Sequence, residues 1–442
     1  MTRAIVVGAG AAGLVAAWEL ARAGWSVTVL EAGPRPGGLL AGVEVAGLTL
    51  DAGAEGYSVR GGGVADLLAD LGAAGRIVAP NPAGAWLQTA AGARPIPKRL
   101  VFGMPADPDA DDVRAVVGEV PPAGPVDAGA SLAAVVRAGY GDRVLDDLVV
   151  PLVGGVYSTD ADRVTLADLA PALAARVAAG EPLRAAVAAT AAAAPEGGAV
   201  HGLTGGMHTL AGMLLAAAEA APGNVELACD EPVDAIDARD DGWRVTTARR
   251  RLVAPALVLA VGLDVAARLL GAPAVPSSTA IEVITVVLDS PGLAGDEPRG
   301  TGVLVAAGVP RVAAKALTHS TAKWPWLRVS TGGADVVRLS YGRRGQPPAT
   351  HDLSGRGLAE RVGSDVAALL GRPVPPPAAL ARTRWRILTP GTPHAGAVRE
   401  WLTGRRAAGL TLVGAGVAGV GLAAVVPHAR AEVARLMRSF DG

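Results

Sequence analysis

Cysteine is almost absent. Among 442 residues only Cys229 carries a thiol, which excludes an internal disulfide framework or a cysteine-built zinc site and fits a reducing compartment. Aromatic residues are scarce too, with 8 Trp, 4 Tyr and 2 Phe, so Ala, Val and Leu must fill the core. Charge is thin and balanced: 40 basic residues stand against 41 acidic ones, and no global field draws the chain to nucleic acid or to an anionic membrane. Lys98, Lys315 and Lys323 are the only lysines among those 40 basic residues. The six histidines form no H-E-x-x-H motif, no Ser/His/Asp signature and no metal-ligand cluster, so no metal is expected. What abounds is apolar. Half the residues are hydrophobic and the mean hydropathy is +0.36, which excludes a mostly disordered chain, and the length implies two or three domains.

Two apolar stretches imitate membrane segments. Residues 1–18 could pass for a signal peptide, and residues 407–426 run for twenty positions without a charge, long enough to span a bilayer on hydropathy alone. Each holds a glycine turn that explains it better. Ile5-Val6-Val7 leads into Gly8-Ala9-Gly10-Ala11-Ala12-Gly13, and Leu410-Thr411-Leu412-Val413 into Gly414-Ala415-Gly416-Val417-Ala418-Gly419. A short strand, a glycine turn and an Ala-rich helix describe a βα unit covered on both sheet faces. Neither stretch is expected to cross a membrane.

The first turn has the surroundings of a dinucleotide site. A strand over Ala4 to Val7 precedes it, a helix over Leu14 to Ala23 follows, Gly24 is placed as a C-cap, and a second strand from Ser26 to Leu30 ends at Glu31. Gly8 makes the tight turn, Gly10 lets the backbone approach a pyrophosphate, and Gly13 lets helix and strand pack closely. The helix N-terminus offers N–H donors and positive potential to phosphate. The Glu31 carboxylate would accept the ribose hydroxyls, and an acid there argues against a 2′-phosphate. The second turn is expected to be no separate dinucleotide site, because only 23 residues follow Gly419 and a βαβ unit takes roughly 30. A returning strand and a helix over about 419–425 suit it better, with the helix N-terminus available to stabilise negative charge.

Glu31-Ala32-Gly33-Pro34-Arg35-Pro36-Gly37-Gly38 resembles the E-x-x-x-R-x-G-G run of the flavin amine oxidase superfamily, and Asp51-Ala52-Gly53-Ala54-Glu55 continues that pattern. As a bare residue Arg35 also fits a solvated surface. The middle of the chain is similar to the protoporphyrinogen and coproporphyrinogen oxidases, flavoproteins of haem synthesis. The likeness runs through Glu55-Gly56-Tyr57-Ser58-Val59-Arg60-Gly61, Pro151-Leu152-Val153-Gly154-Gly155-Val156-Tyr157, the Asp160 to Leu166 stretch and Gly202-Leu203-Thr204-Gly205-Gly206-Met207-His208-Thr209-Leu210. It continues through Glu231-Pro232-Val233, Ser320-Thr321-Ala322-Lys323-Trp324-Pro325, Val337-Arg338-Leu339-Ser340-Tyr341-Gly342-Arg343 and the closing Val413 to Arg430 unit, all in family order. Two places depart. No Gln-Tyr follows Arg384-Trp385-Arg386 before Pro390-Gly391-Thr392-Pro393-His394, and Gly262 replaces a proline. Both departures bear on the substrate rather than the cofactor.

The resemblance implies an α/β fold: a Rossmann-like FAD-binding domain of the flavin amine oxidase type, with a mixed α+β substrate domain and a helical insertion. The expected bounds are 1–80, 197–275 and 400–442 for the FAD domain, 81–105 and 276–399 for the substrate domain, and 106–196 for the helices. It implies non-covalent FAD held by Gly8, Gly10, Ala11, Ala12, Gly13, Glu31, Ala32, Arg35, Gly37, Gly38, Gly53, Ala54, Glu55, Val233, Gly414, Ala418, Gly419, Val420 and Gly421. It further implies an oxidase that takes six electrons from a porphyrinogen by hydride transfer to flavin N5, in three rounds that each reduce one O2 to hydrogen peroxide. Carboxylates on such a substrate need cations. Lys98 and Lys323 are the substrate-side candidates, each equally readable as a solvated lysine, and Lys315 reads more readily as a solvated one. Lys98→Ala is expected to keep FAD and lose turnover. His208 is expected to be structural, on a face of its helix. No nucleic acid partner and no integral membrane span are expected, a cytoplasmic location is, and peripheral membrane contact and oligomeric state stay open. The alternatives are an amine oxidase or desaturase-like paralogue, or a catalytically silent FAD-binding protein. The absence of aromatic residues from Leu410 to Arg430 speaks against the amine oxidase.

Overall fold

The structure, a computed structural model, describes residues 1–193, 200–274, 279–290, 293, 299–387, 395–404 and 407–440. The stretch Pro390 to His394, where the family pattern breaks, lies outside the described residues.

Five parallel strands form the first sheet, in the order Asn224–Ala228, Ser26–Leu30, Arg3–Val7, Ala256–Leu259, Leu410–Leu412. The chain winds outward on one side of Arg3–Val7 and then returns to its other side. Strand order therefore reverses beside Arg3–Val7, and open α/β sheets take their ligands at such a point, outside the carboxyl ends of the strands. The apolar runs of the sequence become strands buried on both faces, as in Ala256–Leu259, where all four residues are buried. The opening helix Ala11–Arg22 and the closing helix Leu422–Arg438 pack together over the sheet. Arg430 of the closing helix meets Glu19 of the opening one at 2.7 Å and Asp70 at 2.5 Å.

Both helices start elsewhere than the sequence suggests. The opening helix begins at Ala11 rather than Leu14, because a first turn of Ala and Gly has no apolar period to reveal it. The closing unit splits into Ala415–Ala418 and Leu422–Arg438. Gly419 and Gly421, with φ of 97° and 94°, cannot belong to a right-handed helix, so the break falls on them. The closing helix then runs through Pro427. Residues 407–426 thus fold as a strand and two helices, and among the described residues no helix is long and apolar enough to cross a membrane.

A second sheet has seven strands, in the order Ala379–Ile387, Thr279–Leu288, Asp335–Tyr341, Ala316–His319, Gly302–Val305, Trp86–Thr89, Gly92–Pro95. All its pairs are antiparallel except Gly302–Val305 with Trp86–Thr89. Because side chains alternate along a strand, register sorts the two faces. Ile284, Val286, Val337, Leu339 and Tyr341 pack on helix Gly355–Leu370. The opposite face carries Ile281, Val283 and Thr285, with Ser340, Arg338, Ala316 and Thr318 across from them. Helices between Asp111–Val117 and Leu183–Ala192 hold a third core of Val, Leu and Ala, against which Leu304 of the sheet packs.

Candidate functional site

The first glycine turn is closed by backbone. Gly8, at φ 99°, donates its N–H to Leu30 O at 2.8 Å, and a Cβ on it would lie 2.6 Å from Ala260 O. A Cβ on Gly13 would lie 1.8 Å from Gly8 O, so only glycine lets the helix seat on the strand. Gly10 differs: a Cβ there would meet nothing within 4 Å. The first-turn amides of the opening helix have no intrahelical acceptor and no side chain caps them. Open space thus lies in front of uncapped N–H donors at the positive end of a helix, which is what an anionic group needs.

From this turn the lining runs both ways. On one side Glu31 accepts N–H bonds from Ala9 and Gly33, each at 2.8 Å, which leaves lone pairs for hydroxyl donors. Beside it, Glu231 N–H donates to Glu31 O at 2.9 Å, which brings buried Val233 to the same end. On the other side Gly37 donates to Ala9 O at 2.8 Å, and a Cβ on Gly38 would lie 3.3 Å from Gly10 Cα. Ala54 then donates to Leu39 O at 2.8 Å. A Cβ on Gly414 would lie 3.6 Å from Ala12 Cβ, so the two glycine turns are neighbours. Near the uncapped start of the closing helix, Gly421 faces open space and Val420 is 54% exposed, while Leu39 is 49% exposed. Ala32 and Arg35 are exposed at the Glu31 end. Open space, uncapped N–H donors and a carboxylate with free lone pairs along this lining are what an elongated dinucleotide needs.

Glu55 is placed less simply. Its carboxylate accepts from Ser320 Oγ at 2.5 Å and pairs with Arg338 at 3.0 Å. Burial works against its charge, but Arg338, Lys323 and the Ser320 hydroxyl together hold the carboxyl below its ordinary value. Arg338 also donates to Gly53 O at 2.7 Å, and Trp385 Nε1 donates to Ala52 O at 3.1 Å. The seven-stranded sheet is thereby bolted to the segment that passes the glycine turns. Sequence reasoning missed Arg338, Ser320 and Trp385 as members of this joint, although all three stand in the family runs it had recognised.

Lys323 is half-buried near this joint, with its ammonium 4.9 Å from the centre of the Trp324 ring. Lys98 is exposed; its backbone N–H donates to Asp112, and no described side chain pairs with its ammonium. Lys315 is not solvated: it is 3% exposed, and its ammonium donates to Ser158 Oγ. It is buried because it leads into strand Ala316–His319 where the end of helix Val150–Tyr157 lies against the sheet. His208 stands before its helix, not on a face of it. Its backbone N–H and ring Nδ1 both meet Asp51 Oδ1, at 2.7 and 2.8 Å.

The model of the flavin containing amine oxidoreductases matches residues 11–432. The coproporphyrinogen III oxidase of Mycobacterium leprae is 30% identical over 97% of this chain and 98% of its own length. That of Mycobacterium tuberculosis is 29% identical over 99% and 97%. A crystal structure from Exiguobacterium sp. 255-15, provisionally named as a protoporphyrinogen oxidase, superposes with a TM-score of 0.80 at 24% identity, covering 100% of this chain and 99% of that one. Cyclohexylamine oxidase from Brevibacterium oxydans shares the fold over both whole chains, at a TM-score of 0.67 and 17% identity.

Proposed function

The chain belongs to the flavin containing amine oxidoreductases, alongside the porphyrinogen oxidases, and from that premise we propose that it oxidises a porphyrinogen to a porphyrin with bound FAD and O2. The observation that carries this reading is the end-to-end likeness to the mycobacterial coproporphyrinogen III oxidases, joined to the open space and uncapped donors at Gly10 beside the Glu31 carboxylate. FAD, when bound, supplies a hydride acceptor and a route for electrons to O2. The residues supply the rest. The amides of Ala11 and Ala12 would hold the pyrophosphate and Glu31 the ribose, with Val233 at the adenine end. The uncapped amides at the start of helix Leu422–Arg438 would favour negative charge on a ring held near them. The Glu55–Arg338 pair holds Gly53 in place through the Arg338 bond to its carbonyl and presents no unpaired charge of its own. The substrate lies over the sheet face of Val283, Thr285, Ser340 and Thr318, between segment 52–55 and the helical layer. Binding is non-covalent, and the protein works in the cytoplasm.

The test is anaerobic. Coproporphyrinogen III should bleach the flavin of the purified holoprotein, and air should then restore the yellow colour and bring up porphyrin fluorescence. Flavin that no porphyrinogen reduces would refute this function and favour an amine-oxidising or silent relative. Lys98→Ala belongs to the same assay. Its expected phenotype is full flavin content with lost turnover, and wild-type kcat and KM in that variant would remove Lys98 from the site.

A further inference from the structure

Where the helical layer meets the seven-stranded sheet, four cations gather around one acid. Lys315 leads into Ala316–His319, Arg343 and Arg344 follow Asp335–Tyr341, and Arg163 lies just beyond helix Val150–Tyr157. Asp160 is the acid; it is exposed and faces Arg163 at 3.3 Å. Among the described residues no carboxylate comes within ion-pair distance of Lys315 or Arg343. Lys315 has the neutral Ser158 hydroxyl, and Arg343 donates to Val305 O at 2.8 Å. Burial first, then Arg343 alongside, pushes the Lys315 ammonium down to about 7. Burial likewise lowers Arg343 and Arg344, with Asp160 opposing in both.

Neighbouring cations kept from water without a counter-ion are costly, and the fold makes room for them. Arg343 Nη1 stands 3.0 Å from where a Cβ on Gly154 would be, and a Cβ on Gly155 would meet Leu304 at 2.8 Å. The glycine pair of the P-x-x-G-G-V-Y run thus lets the helix close on the sheet and leaves space for the guanidinium. At the same helix end Val156 is 56% exposed, and Tyr157 meets Phe102 at 5.7 Å beneath Arg60. An apolar wall beside Lys315 and Arg343, the two cations that no described carboxylate reaches, suits a flat apolar ring with acidic arms.

We propose that Lys315 and Arg343, backed by Arg344 and Arg163, form a carboxylate subsite that makes this chain prefer a macrocycle bearing four propionates over one bearing two. This deepens the porphyrinogen oxidation proposed above and rests on it. Each added propionate gains a charge-assisted partner here, and the vinyl groups of the di-acid would leave the cations bare.

The test compares coproporphyrin III with protoporphyrin IX by fluorescence titration of the holoprotein, and the matching porphyrinogens by kinetics. In Lys315→Met and in Arg343→Gln, Kd and KM for the tetra-acid should rise about tenfold, the scale of one lost charge-assisted bond. KM should rise more than kcat falls, the di-acid should move far less, and Arg343→Lys should recover most of the loss. Flavin content reports that each variant is folded. Equal losses for both ligands, or none for either, overturn the subsite and leave the porphyrinogen function standing. A wild-type protein that binds neither porphyrin and is bleached by neither porphyrinogen overturns both.

Discussion

Gly10→Val is expected to fold and to purify colourless, whereas Gly13→Ala is expected not to reach a stable fold. The two glycines are three residues apart in one turn, and the difference lies in what faces them. At Gly13 a methyl would lie 1.8 Å from Gly8 O and 3.1 Å from Ala260 Cβ. Backbone sits against backbone there, so relief requires lifting the opening helix off its strand. That costs on the order of 4 kcal/mol or more, a large share of the roughly 5–15 kcal/mol that holds a domain together. At Gly10 the backbone is already extended, at φ −73° and ψ −177°, and a side chain would meet nothing within 4 Å. Valine is a poor N-cap, so about 1 kcal/mol of stability is expected to go. Its methyls occupy the space where a pyrophosphate must come to reach the amides, and FAD affinity should fall at least about 100-fold, near 2.7 kcal/mol. Flavin absorbance after purification reads the first effect. Thermal unfolding against deflavinated wild type reads the second, since bound ligand raises the midpoint of the holoprotein by itself. A yellow Gly10→Val protein with unchanged affinity would place the dinucleotide elsewhere.

That turn was legible because its information is local. Strand, glycines, helix and acid fall between Arg3 and Glu31, and each is dictated by neighbours in sequence: β-branched residues before the turn, glycine where φ is positive or backbones touch, an acid at the next strand end. The sheet that faces it is another matter. Arg338 lies opposite both Thr285 and Thr318, a register set by pairing between distant strands. Periodicity shows that Val336 to Ser340 is a strand but not which partner it takes or which face meets Gly53. Glu55 illustrates the limit. Its motif carried it to the cofactor side, while its carboxylate partners come from far along the chain, Arg338 from the seven-stranded sheet and Ser320 from the short helix Ser320–Lys323.

Helix ends failed for a related reason. An Ala/Gly-rich segment has little apolar contrast, so the position of a helix start rests on backbone angles that composition does not reveal. Gly419 and Gly421 settle the closing unit through their positive φ, and either could have been an ordinary helical glycine in an equally Gly-rich sequence. Lys315 was illegible for the opposite reason. A lone lysine among alanines has solvent as its default, and only the approach of helix Val150–Tyr157 removes the water.

That removal makes Lys315→Met a stabilising substitution whose size depends on pH. The unfolded lysine titrates near the ordinary 10.5 and the folded one near 7. Between those values the unfolded chain holds a proton that the folded chain lacks, so wild-type stability climbs with pH across the window, by roughly 1.4 kcal/mol per unit. Above the unfolded value the group's full contribution is present; as pH falls through about 7 it is lost, because a charge must then sit out of water. With screening by the partly wet seam, the span is on the order of 4 kcal/mol. Denaturant unfolding of wild type and Lys315→Met at pH 6, 8 and 10 should give curves about 4 kcal/mol apart at the lowest pH, with the variant the more stable, converging toward the highest. A residue kept for packing would behave the other way, its loss destabilising the protein at every pH. A lysine that weakens the fold at working pH while strengthening the hold on an acidic ligand is the signature of a site maintained for binding. Such a ligand should also draw a proton onto Lys315 when it docks at pH 8, measurable as proton uptake by calorimetry in buffers of different ionisation enthalpy. Docking of the tetra-acid with no proton taken up would mean that its carboxylates lie elsewhere.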